Sequence, residues 1–120
     1  MDTKLLGRWG EEQAQRYLVK KRCRILGLNY SCRLGEIDII AEHKGTILFV
    51  EVKTRVSGSF AAAREAVNPA KQRRIISAAT LWLSENGDDR PARFDVIEVY
   101  APEGIDTKRP EIVHLENAFM

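Results

Sequence analysis

Residues that form covalent cross-links or zinc sites are scarce in this chain. Its 120 residues include two cysteines and two histidines. Cys23 and Cys32 do not form a C-x-x-C pair, and His43 and His114 lie in unrelated segments. We therefore expect no zinc site, because structural zinc sites use closely spaced groups of these ligands. The two cysteines are expected to be reduced and partly buried.

Long apolar runs are also missing. No apolar stretch approaches the ~20 residues of a membrane-spanning helix, and the first residues, MDTKLLGRWGEEQ, lack the apolar segment of a signal peptide. We therefore expect a cytoplasmic protein with no membrane partner. A chain of 120 residues, of which 44% are hydrophobic, is expected to form a single domain over residues 1–120.

A strong net charge is absent, but the basic residues are clustered. The formal net charge is +2 at pH 7, and one cluster consists of Lys71, Arg73 and Arg74. Such clusters in a nearly neutral chain favour an anionic partner, with nucleic acid as the first candidate. The alternative is a solvated charged face. The other cluster contains five basic residues and no acid: Lys20, Lys21, Arg22, Arg24 and Arg33.

Apolar residues at roughly 3.6-residue spacing predict two helices. The first is expected at residues 6–21, with Asp2 or Thr3 as its N-cap. The second is expected to begin at Pro69, with Asn68 as its cap, and to run to about residue 85. Each helix has one apolar stripe, so both are expected to pack against a sheet.

Alternating apolar and polar residues predict five strands. A short turn at residues 43–45 joins the second and third strands as a hairpin, and a loop at 56–68, with a helical turn at 61–66, follows. The second helix then permits a crossover to a parallel strand. The expected fold class is therefore α/β, a mixed β-sheet flanked by helices. The strands are expected at residues 24–30, 36–41, 47–54, 93–100 and 112–115.

Acidic residues occupy the interiors of two of these strands, where acids are depleted. A symmetric hairpin about Lys44-Gly45 places Asp38 of one strand directly opposite Glu51 of the next. Opposed like charges repel, so a hairpin that needed only stability would avoid this pair. A divalent cation would remove the repulsion, because Mg²⁺ sites use carboxylates together with substrate phosphates.

Strand alternation also predicts which side chains share a face. Glu36 and Asp38 are expected on the face of Ile40, with Ile37 and Ile39 on the other.

Lys53 shares the face of Glu51 and completes a D…E-x-K pattern. Its ammonium could orient or deprotonate a water molecule, or neutralise charge that develops on a phosphate. In this hypothesis the two carboxylates hold a metal ion and a phosphodiester bond is cut. The alternative is an exposed Glu51–Lys53 ion pair, with Asp38 solvated at a strand end.

Five stretches of the chain carry a recognisable set of motifs: GRWGEEQAQRYL, NYSCRLGEIDIIA, LFVEVKTR, RFDVIEV and HLENAF. In these motifs the chain resembles the YraN-type family of small bacterial proteins, which are described as predicted endonucleases. Through that family it is similar to the PD-(D/E)xK nuclease superfamily, including archaeal Holliday-junction resolvases. The resemblance implies a restriction-endonuclease-like fold and a DNA partner, with branched DNA among the candidates. It also implies Mg²⁺ as cofactor, with Mn²⁺ as a substitute, and a homodimer by analogy with the resolvases.

The resemblance also implies individual roles. Asp38 matches the motif aspartate, and Glu51 and Lys53 match the (D/E)xK pair. Glu11 matches the glutamate of a G-x-x-G-E pattern, where related resolvases carry a further metal-site acid. All four are therefore expected to be catalytic, with Asp38, Glu51 and Glu11 as metal ligands. Ile37 stands where the motif has proline, a position that is often degenerate.

Four further residues are expected to bind nucleic acid. Arg55 shares the strand face of Lys53 and could meet a phosphate. Lys71, Gln72 and Arg74 lie on the helix after the hairpin, where related nucleases place DNA contacts. Glu36 belongs to the GEID motif and could tune the metal site, or it is simply a strand-end acid.

Two further features of the sequence have structural rather than catalytic interpretations. Asp95 is expected to serve as a hydrogen-bond acceptor within the fold. The C-terminal Ala118-Phe119-Met120 could form a dimer contact, or it could pack on the protein's own core.

The leading hypothesis is thus a Mg²⁺-dependent endodeoxyribonuclease. One alternative is a nucleic-acid-binding module without catalysis, because nuclease-like folds can serve as binders. Another is an accessory subunit of a DNA-processing assembly, which the small size of the chain favours. The intact Asp38, Glu51 and Lys53 favour the enzyme, since a pure binder has little need of all three.

Overall fold

Two helices, five strands and one 3₁₀ turn make up the part of the chain that the computed structural model describes, residues 2–56 and 67–119. The expected helices and strands are all found, with ends at most three residues from the expected positions. The helical turn expected at residues 61–66 lies outside the described residues. The elements are α1 (Thr3–Lys20), β1 (Arg24–Cys32), β2 (Gly35–His43), β3 (Thr46–Arg55), α2 (Pro69–Glu85), β4 (Ala92–Tyr100), the 3₁₀ turn (Gly104–Asp106) and β5 (Glu111–Leu115).

The strands lie side by side in the order β1-β2-β3-β4-β5. β3 and β4 are parallel, and the other neighbouring strands are antiparallel. α2 connects β3 to β4 and makes the crossover that a parallel pair requires. The expected mixed sheet flanked by helices is therefore confirmed. Within the described residues, neither helix is long and apolar enough to cross a membrane.

The two helices cover opposite faces of the sheet. Ile75 of α2 packs in one core with Phe49, and Leu18 of α1 packs in a second core with Leu48. Because successive side chains of a strand point to opposite faces, β3 supplies both cores. Burial of each large apolar side chain contributes about 1.5–3 kcal/mol. β3 is therefore firmly held between the two helices.

Asp2 and Gly10 determine where α1 begins and how closely it packs. Oδ1 of Asp2 accepts hydrogen bonds from the backbone N–H groups two and three residues later, so Asp2 rather than Thr3 is the N-cap. A Cβ atom added to Gly10 would overlap Oγ1 of Thr54. The backbone of α1 therefore lies directly against β3, one residue before Glu11.

The β2–β3 hairpin has the register expected from the sequence. Its turn at residues 44–45 has φ angles of 50° and 82°, as tight hairpin turns need. The paired residues end with Ile39 opposite Val50. One more pair in this register would bring Asp38 opposite Glu51, so the two acids lie just beyond the paired segment.

The expected faces of β2 are wrong at its Asp38 end. Ile37 and Ile40 both pack in the core beneath α2, whereas Ile39 packs beneath α1. We expected Ile37 to share the face of Ile39. Strict alternation fails because the backbone pairing with β3 ends after Ile39, and the carboxyl of Asp38 accepts the N–H of Val52 instead.

Asp95 holds the C-terminal segment against the sheet. Its buried carboxylate accepts hydrogen bonds from the Arg93 guanidinium and, at 3.0 Å, from the backbone N–H of Asn117. Nε2 of His114 lies 2.8 Å from the same carboxylate, and Nδ1 of His114 lies 3.0 Å from the Tyr17 hydroxyl. Asp95 thus has the structural role that we expected, and the HLENAF motif supplies two of its partners.

Phe119 packs on the protein's own core. Its ring stacks on Phe94 with a centroid distance of 5.2 Å, and the residue is 7% exposed. Of the two explanations for the apolar C-terminus, packing on the core is therefore confirmed for Phe119. Met120 lies outside the described residues.

Candidate metal and nucleic-acid site

The side chains of Asp38 and Glu51 meet at the point where β2 and β3 stop pairing. Oδ2 of Asp38 accepts a hydrogen bond of 2.8 Å from the backbone N–H of Val52, and its carboxyl group interacts electrostatically with that of Glu51. Two carboxylates placed this near each other repel, which favours the protonated form of one of them. Burial, reinforced by the negative charge of Glu51, raises the pKa of Asp38 to about 7.

Two lysines flank Glu51, whose side chain is 7% exposed. Nζ of Lys71 lies 2.5 Å from Glu51 Oε1, and Nζ of Lys53 lies 3.6 Å from the same oxygen. Burial and the neighbouring Lys71 lower the pKa of Lys53. Burial alone would also lower the pKa of Lys71, but its hydrogen bond to Glu51 raises it overall. Lys71 is thus the stable cation, and Lys53 is the lysine that loses its proton more readily.

Glu11 approaches the acid pair from α1. It is partly buried and hydrogen-bonded to the side chain of Asn29 on β1. Burial raises the pKa of Glu11, and the charges of Glu51 and Glu36 raise it further, while the bond to Asn29 opposes the shift. Glu11 therefore lies within the electrostatic field of the acid pair without being bonded to it.

Two carboxyl groups, those of Asp38 and Glu51, are the candidate ligands for a cation at this site. Within residues 2–56 and 67–119, no three His, Cys, Asp or Glu side chains converge closely enough to hold a metal ion. Mg²⁺ is commonly bound through one or two carboxylates, with water and substrate phosphate completing its shell. The oxygen donors of Asp38 and Glu51 fit that pattern, and a bound cation would offset the repulsion between them.

A cleft of about 840 Å³ opens beside the acid pair. The turn between β1 and β2 contributes Arg33 and Leu34 to its lining, and the first turns of α2 contribute Lys71 and Arg74. A Cβ atom on Gly35 would lie 2.7 Å from the backbone carbonyl oxygen of Arg74, so the hairpin end packs directly on α2. The exposed Arg33, Arg74 and Glu36 therefore line its outer part, whereas the less exposed Asp38 and Glu51 lie deeper.

Two of the expected DNA contacts have partners within the protein. Nε of Arg55 donates a hydrogen bond of 3.0 Å to Oε1 of Glu98, a carboxylate that is 1% exposed and also accepts the Tyr100 hydroxyl. Nε2 of Gln72 donates a hydrogen bond of 2.9 Å to the backbone carbonyl of Val67. In the described chain these two side chains support the fold, whereas Lys71 and Arg74 line the cleft.

Comparison with known proteins identifies the family. The sequence profile described as "Uncharacterised protein family UPF0102" matches residues 10–99. The chain belongs to the UPF0102 family. This membership confirms the resemblance to the YraN-type family that the motifs indicated.

UPF0102 proteins from several bacteria align over nearly the whole chain. The protein from Alkaliphilus oremlandii is 50% identical over 120 residues, which cover 98% of this chain and 99% of the relative. The protein from Geobacter sulfurreducens is 44% identical over 118 residues, covering 98% and 90%. The protein from Caldanaerobacter subterraneus is 43% identical over 121 residues, covering 99% and 98%.

Among solved structures, one match is "The structure of Pyrococcus Furiosus SfsA in complex with Ca2+". It matches with a TM-score of 0.37 and 15% sequence identity, over 96% of this chain and 64% of the SfsA chain. A TM-score of this size is too low to assign a shared fold. The restriction-endonuclease-like fold therefore stays a prediction from the sequence.

Sequence reasoning missed two contacts in this UPF0102 chain. It treated Lys71 only as a DNA contact, whereas the lysine pairs with Glu51 across the crossover connection. It also gave no role to Asn29, the partner of Glu11. Asn29 has a φ of 50°, and an asparagine in a predicted strand was the signal that could have drawn attention to it. The Lys71 contact has no comparable signal, because it depends on how α2 packs.

Proposed function

We propose that this protein is a Mg²⁺-dependent endodeoxyribonuclease of the PD-(D/E)xK type with a restriction-endonuclease-like fold. The observation that carries the proposal is the pairing of a buried carboxyl group, Glu51, with a partly buried one, Asp38, beside two lysines in a basic-rimmed cleft. Burying like charges together is costly unless a cation or a proton neutralises them. Both acids nevertheless line a cleft that a ligand can enter. This combination favours a functional site over a purely structural role.

Asp38 and Glu51 would hold the metal ion, with Glu11 adding negative charge nearby. When bound, the ion would lower the pKa of a water molecule and stabilise charge on the reacting phosphate. The N–H of Val52 fixes the Asp38 carboxyl, and Lys71 fixes the Glu51 carboxyl, so neither acid has to reorganise to bind. Preorganised groups of this kind lower the barrier most effectively.

Lys53 and Lys71 would have different roles: Lys53 would accept a proton, and Lys71 would neutralise a phosphate. Lys53, whose pKa is lowered by burial and by Lys71, is suited to accept a proton from water. Lys71, which stays protonated, is suited to neutralise a phosphate. Arg33 and Arg74 at the rim would attract the DNA backbone through charge alone.

The test is cleavage of labelled four-way junction, flap, single-stranded and duplex DNA with Mg²⁺, with Mn²⁺ and with EDTA. We expect cleavage only with metal, and a loss of at least about a hundredfold in Glu51→Gln and in Asp38→Asn. Glu12→Gln and Asp106→Asn change exposed acids and serve as matched controls. Cleavage that persists in EDTA or in Asp38→Asn would overturn the proposal.

A second readout separates metal binding from proton transfer. Mn²⁺ binding, followed by electron paramagnetic resonance, should weaken in Glu51→Gln and persist in Lys53→Met. Cleavage should be lost in both variants. Mn²⁺ affinity that is equal in Glu51→Gln and in the unsubstituted protein would show that Glu51 is not a metal ligand.

A second candidate is a DNA-binding module without catalysis. The observation in its favour is the Lys71–Glu51 ion pair, because the acid then has its counter-charge within the chain. This candidate predicts salt-sensitive DNA binding in EDTA and no cleavage with any metal. It also predicts that Glu51→Gln does not weaken DNA binding, because the substitution removes a negative charge and frees Lys71.

A further inference from the structure

The turn between β1 and β2 presents an apolar side chain at the rim of a charged cleft. Leu34 is 40% exposed although it lines the same cleft as Asp38 and Glu51. Ile75, the other large aliphatic side chain of that lining, is 2% exposed and belongs to the core. Among the described lining residues, Leu34 is therefore the large apolar side chain, beside the small exposed Ala70, that a molecule entering the cleft would touch.

The turn that carries Leu34 is held rigidly. β1 and β2 remain paired up to Cys32 and Gly35, so the connection consists of only two residues, Arg33 and Leu34. The thiol of Cys32 donates a hydrogen bond of 3.5 Å to the backbone carbonyl of Gly35. Gly35 in turn lies against the backbone of Arg74, which leaves no room for a side chain. The backbone of the turn is thus packed against α2 beside the cleft, so the turn cannot move toward α2 without displacing it.

Charge surrounds the apolar tip on both sides of the cleft. Arg33 precedes it in the turn, and Lys71 and Arg74 lie on α2 across from it. Arginine and lysine bind phosphates, whereas an aliphatic side chain between them is suited to contact bases. Proteins that bend DNA insert leucine and similar side chains between base pairs in this way, and unstacking the bases costs free energy. That cost is small where the stack is already interrupted.

We propose, resting on the nuclease function above, that Leu34 is a wedge that enters an interrupted base stack. The wedge would select DNA with a gap or a similar break in stacking over continuous duplex. Leu34 precedes Asp38 by four residues, which is about 13 Å along an extended strand. At about 3.4 Å per base step, cleavage is then expected within about four nucleotides of the interruption.

The experiment compares a duplex that has a one-nucleotide gap with an intact duplex of the same sequence. A 2-aminopurine next to the gap reports unstacking through its fluorescence. Binding is measured by anisotropy in EDTA, so that cleavage does not interfere, and cleavage sites are mapped separately with Mg²⁺. The variants are Leu34→Ala and Leu28→Ala. Leu28 is a matched control because it is 45% exposed on β1 and does not line the cleft.

We expect the unsubstituted protein to bind the gapped duplex about tenfold or more tightly than the intact one, and to raise the 2-aminopurine signal. Leu34→Ala should lose most of this preference and the signal, whereas Leu28→Ala should keep both. Circular dichroism should be unchanged, because both leucines are exposed. Arg33→Gln should weaken binding to both DNAs and reduce the salt slope by about one.

The outcomes separate this inference from the proposed function. If cleavage is absent but the preference and signal depend on Leu34, the wedge stands and the nuclease function fails. If cleavage occurs equally on both DNAs and Leu34→Ala changes neither binding nor cleavage, the nuclease function stands and the wedge is wrong. An absence of DNA binding in EDTA together with an absence of cleavage with Mg²⁺ would overturn both. A preference that is lost equally in Leu28→Ala would also overturn the wedge.

Discussion

The backbone N–H of Val52 donates a hydrogen bond of 2.8 Å to Oδ2 of Asp38, across the gap where β2 and β3 no longer pair. Beyond the paired segment, the N–H of Val52 thus bonds to a side-chain carboxyl group instead of a backbone carbonyl of β2. The bond holds the side chain of Asp38 near Glu51. By itself it favours the charged form of Asp38, but burial and the charge of Glu51 outweigh it. The fold therefore keeps an acid where it is hard to ionise.

Asp38→Asn should stabilise the metal-free protein above neutral pH. The pKa of Asp38 is about 7 in the folded chain, against an ordinary value of 3.8. Between these values the folded state binds more protons than the unfolded state, so this group makes stability fall as pH rises from about 4 to 7. An amide removes that loss. Urea unfolding in EDTA at about pH 5 and pH 8 should give a larger gain at the higher pH. Asp106→Asn, at an exposed position, should give none, and an equal effect of Asp38→Asn at both pH values would contradict the expectation.

Glu11→Gln should lower metal-dependent cleavage by about 10- to 100-fold, less than the loss in Glu51→Gln. Glu11 lies in the field of the acid pair but is bonded to Asn29, so it acts on the pair electrostatically. The measurement is the cleavage rate at several Mg²⁺ concentrations, where a weaker metal affinity appears as a higher concentration for half-maximal rate. Glu12→Gln on the exposed side of α1 is the control. Equal rates in the two variants would remove Glu11 from the site.

Gly10→Ala should destabilise the protein by about 1–3 kcal/mol, because the added methyl group overlaps Oγ1 of Thr54. Gly7→Ala in the same helix meets no atom within 4 Å and should stabilise by about 0.5–1 kcal/mol through helix propensity. Thermal unfolding of the two variants distinguishes the effects. Thr54→Ala should partly rescue Gly10→Ala. If Thr54→Ala changed the stability of Gly10→Ala and of Gly7→Ala by the same amount, the contact would not be the cause of the loss.

Arg55→Gln should cost about 2 kcal/mol of stability, because it leaves the buried carboxylate of Glu98 without its cation. Arg74→Gln, on the cleft rim, should leave stability nearly unchanged but weaken DNA binding. Urea unfolding and DNA binding at two salt concentrations measure the two effects. The double variant Arg55→Gln/Glu98→Gln should recover part of the lost stability. DNA binding that fell further in Arg55→Gln than in Arg74→Gln would assign Arg55 to the DNA surface.

Asp95→Asn should cost about 3 kcal/mol at neutral pH, because it weakens the bonds to Arg93, His114 and the N–H of Asn117. Burial alone would raise the pKa of Asp95, but hydrogen bonds from His114, Asn117 and Arg93 hold it below its ordinary value. A depressed pKa contributes stability above about pH 4, which is lost as pH falls through the folded pKa. The cost of the substitution should therefore shrink near pH 3, measured by urea unfolding. A cost that stays constant with pH would mean that the charge of Asp95 is unimportant.

The elements of this fold could be predicted from the sequence because local rules decide them. Apolar spacing determines α1 and α2, and Asn68 with Pro69 marks the start of α2 as expected. The positive φ angles at Lys44-Gly45 set the hairpin register, since a two-residue turn permits one pairing. From that register alone, Asp38 and Glu51 were expected to lie close together, and their side chains are in contact.

The sequence by itself thus determined the helices, the strands, the hairpin and the meeting of two acids, all of which depend on residues close in the chain. Only the tertiary structure decided which side chains neutralise or contact the acids of the site and its surroundings. Lys71 contacts Glu51, Arg55 turns to Glu98, and Asn29 binds Glu11, each across a separation that no local pattern encodes. The physical reason is that such contacts depend on how helices pack on the sheet, and packing is a property of the whole chain.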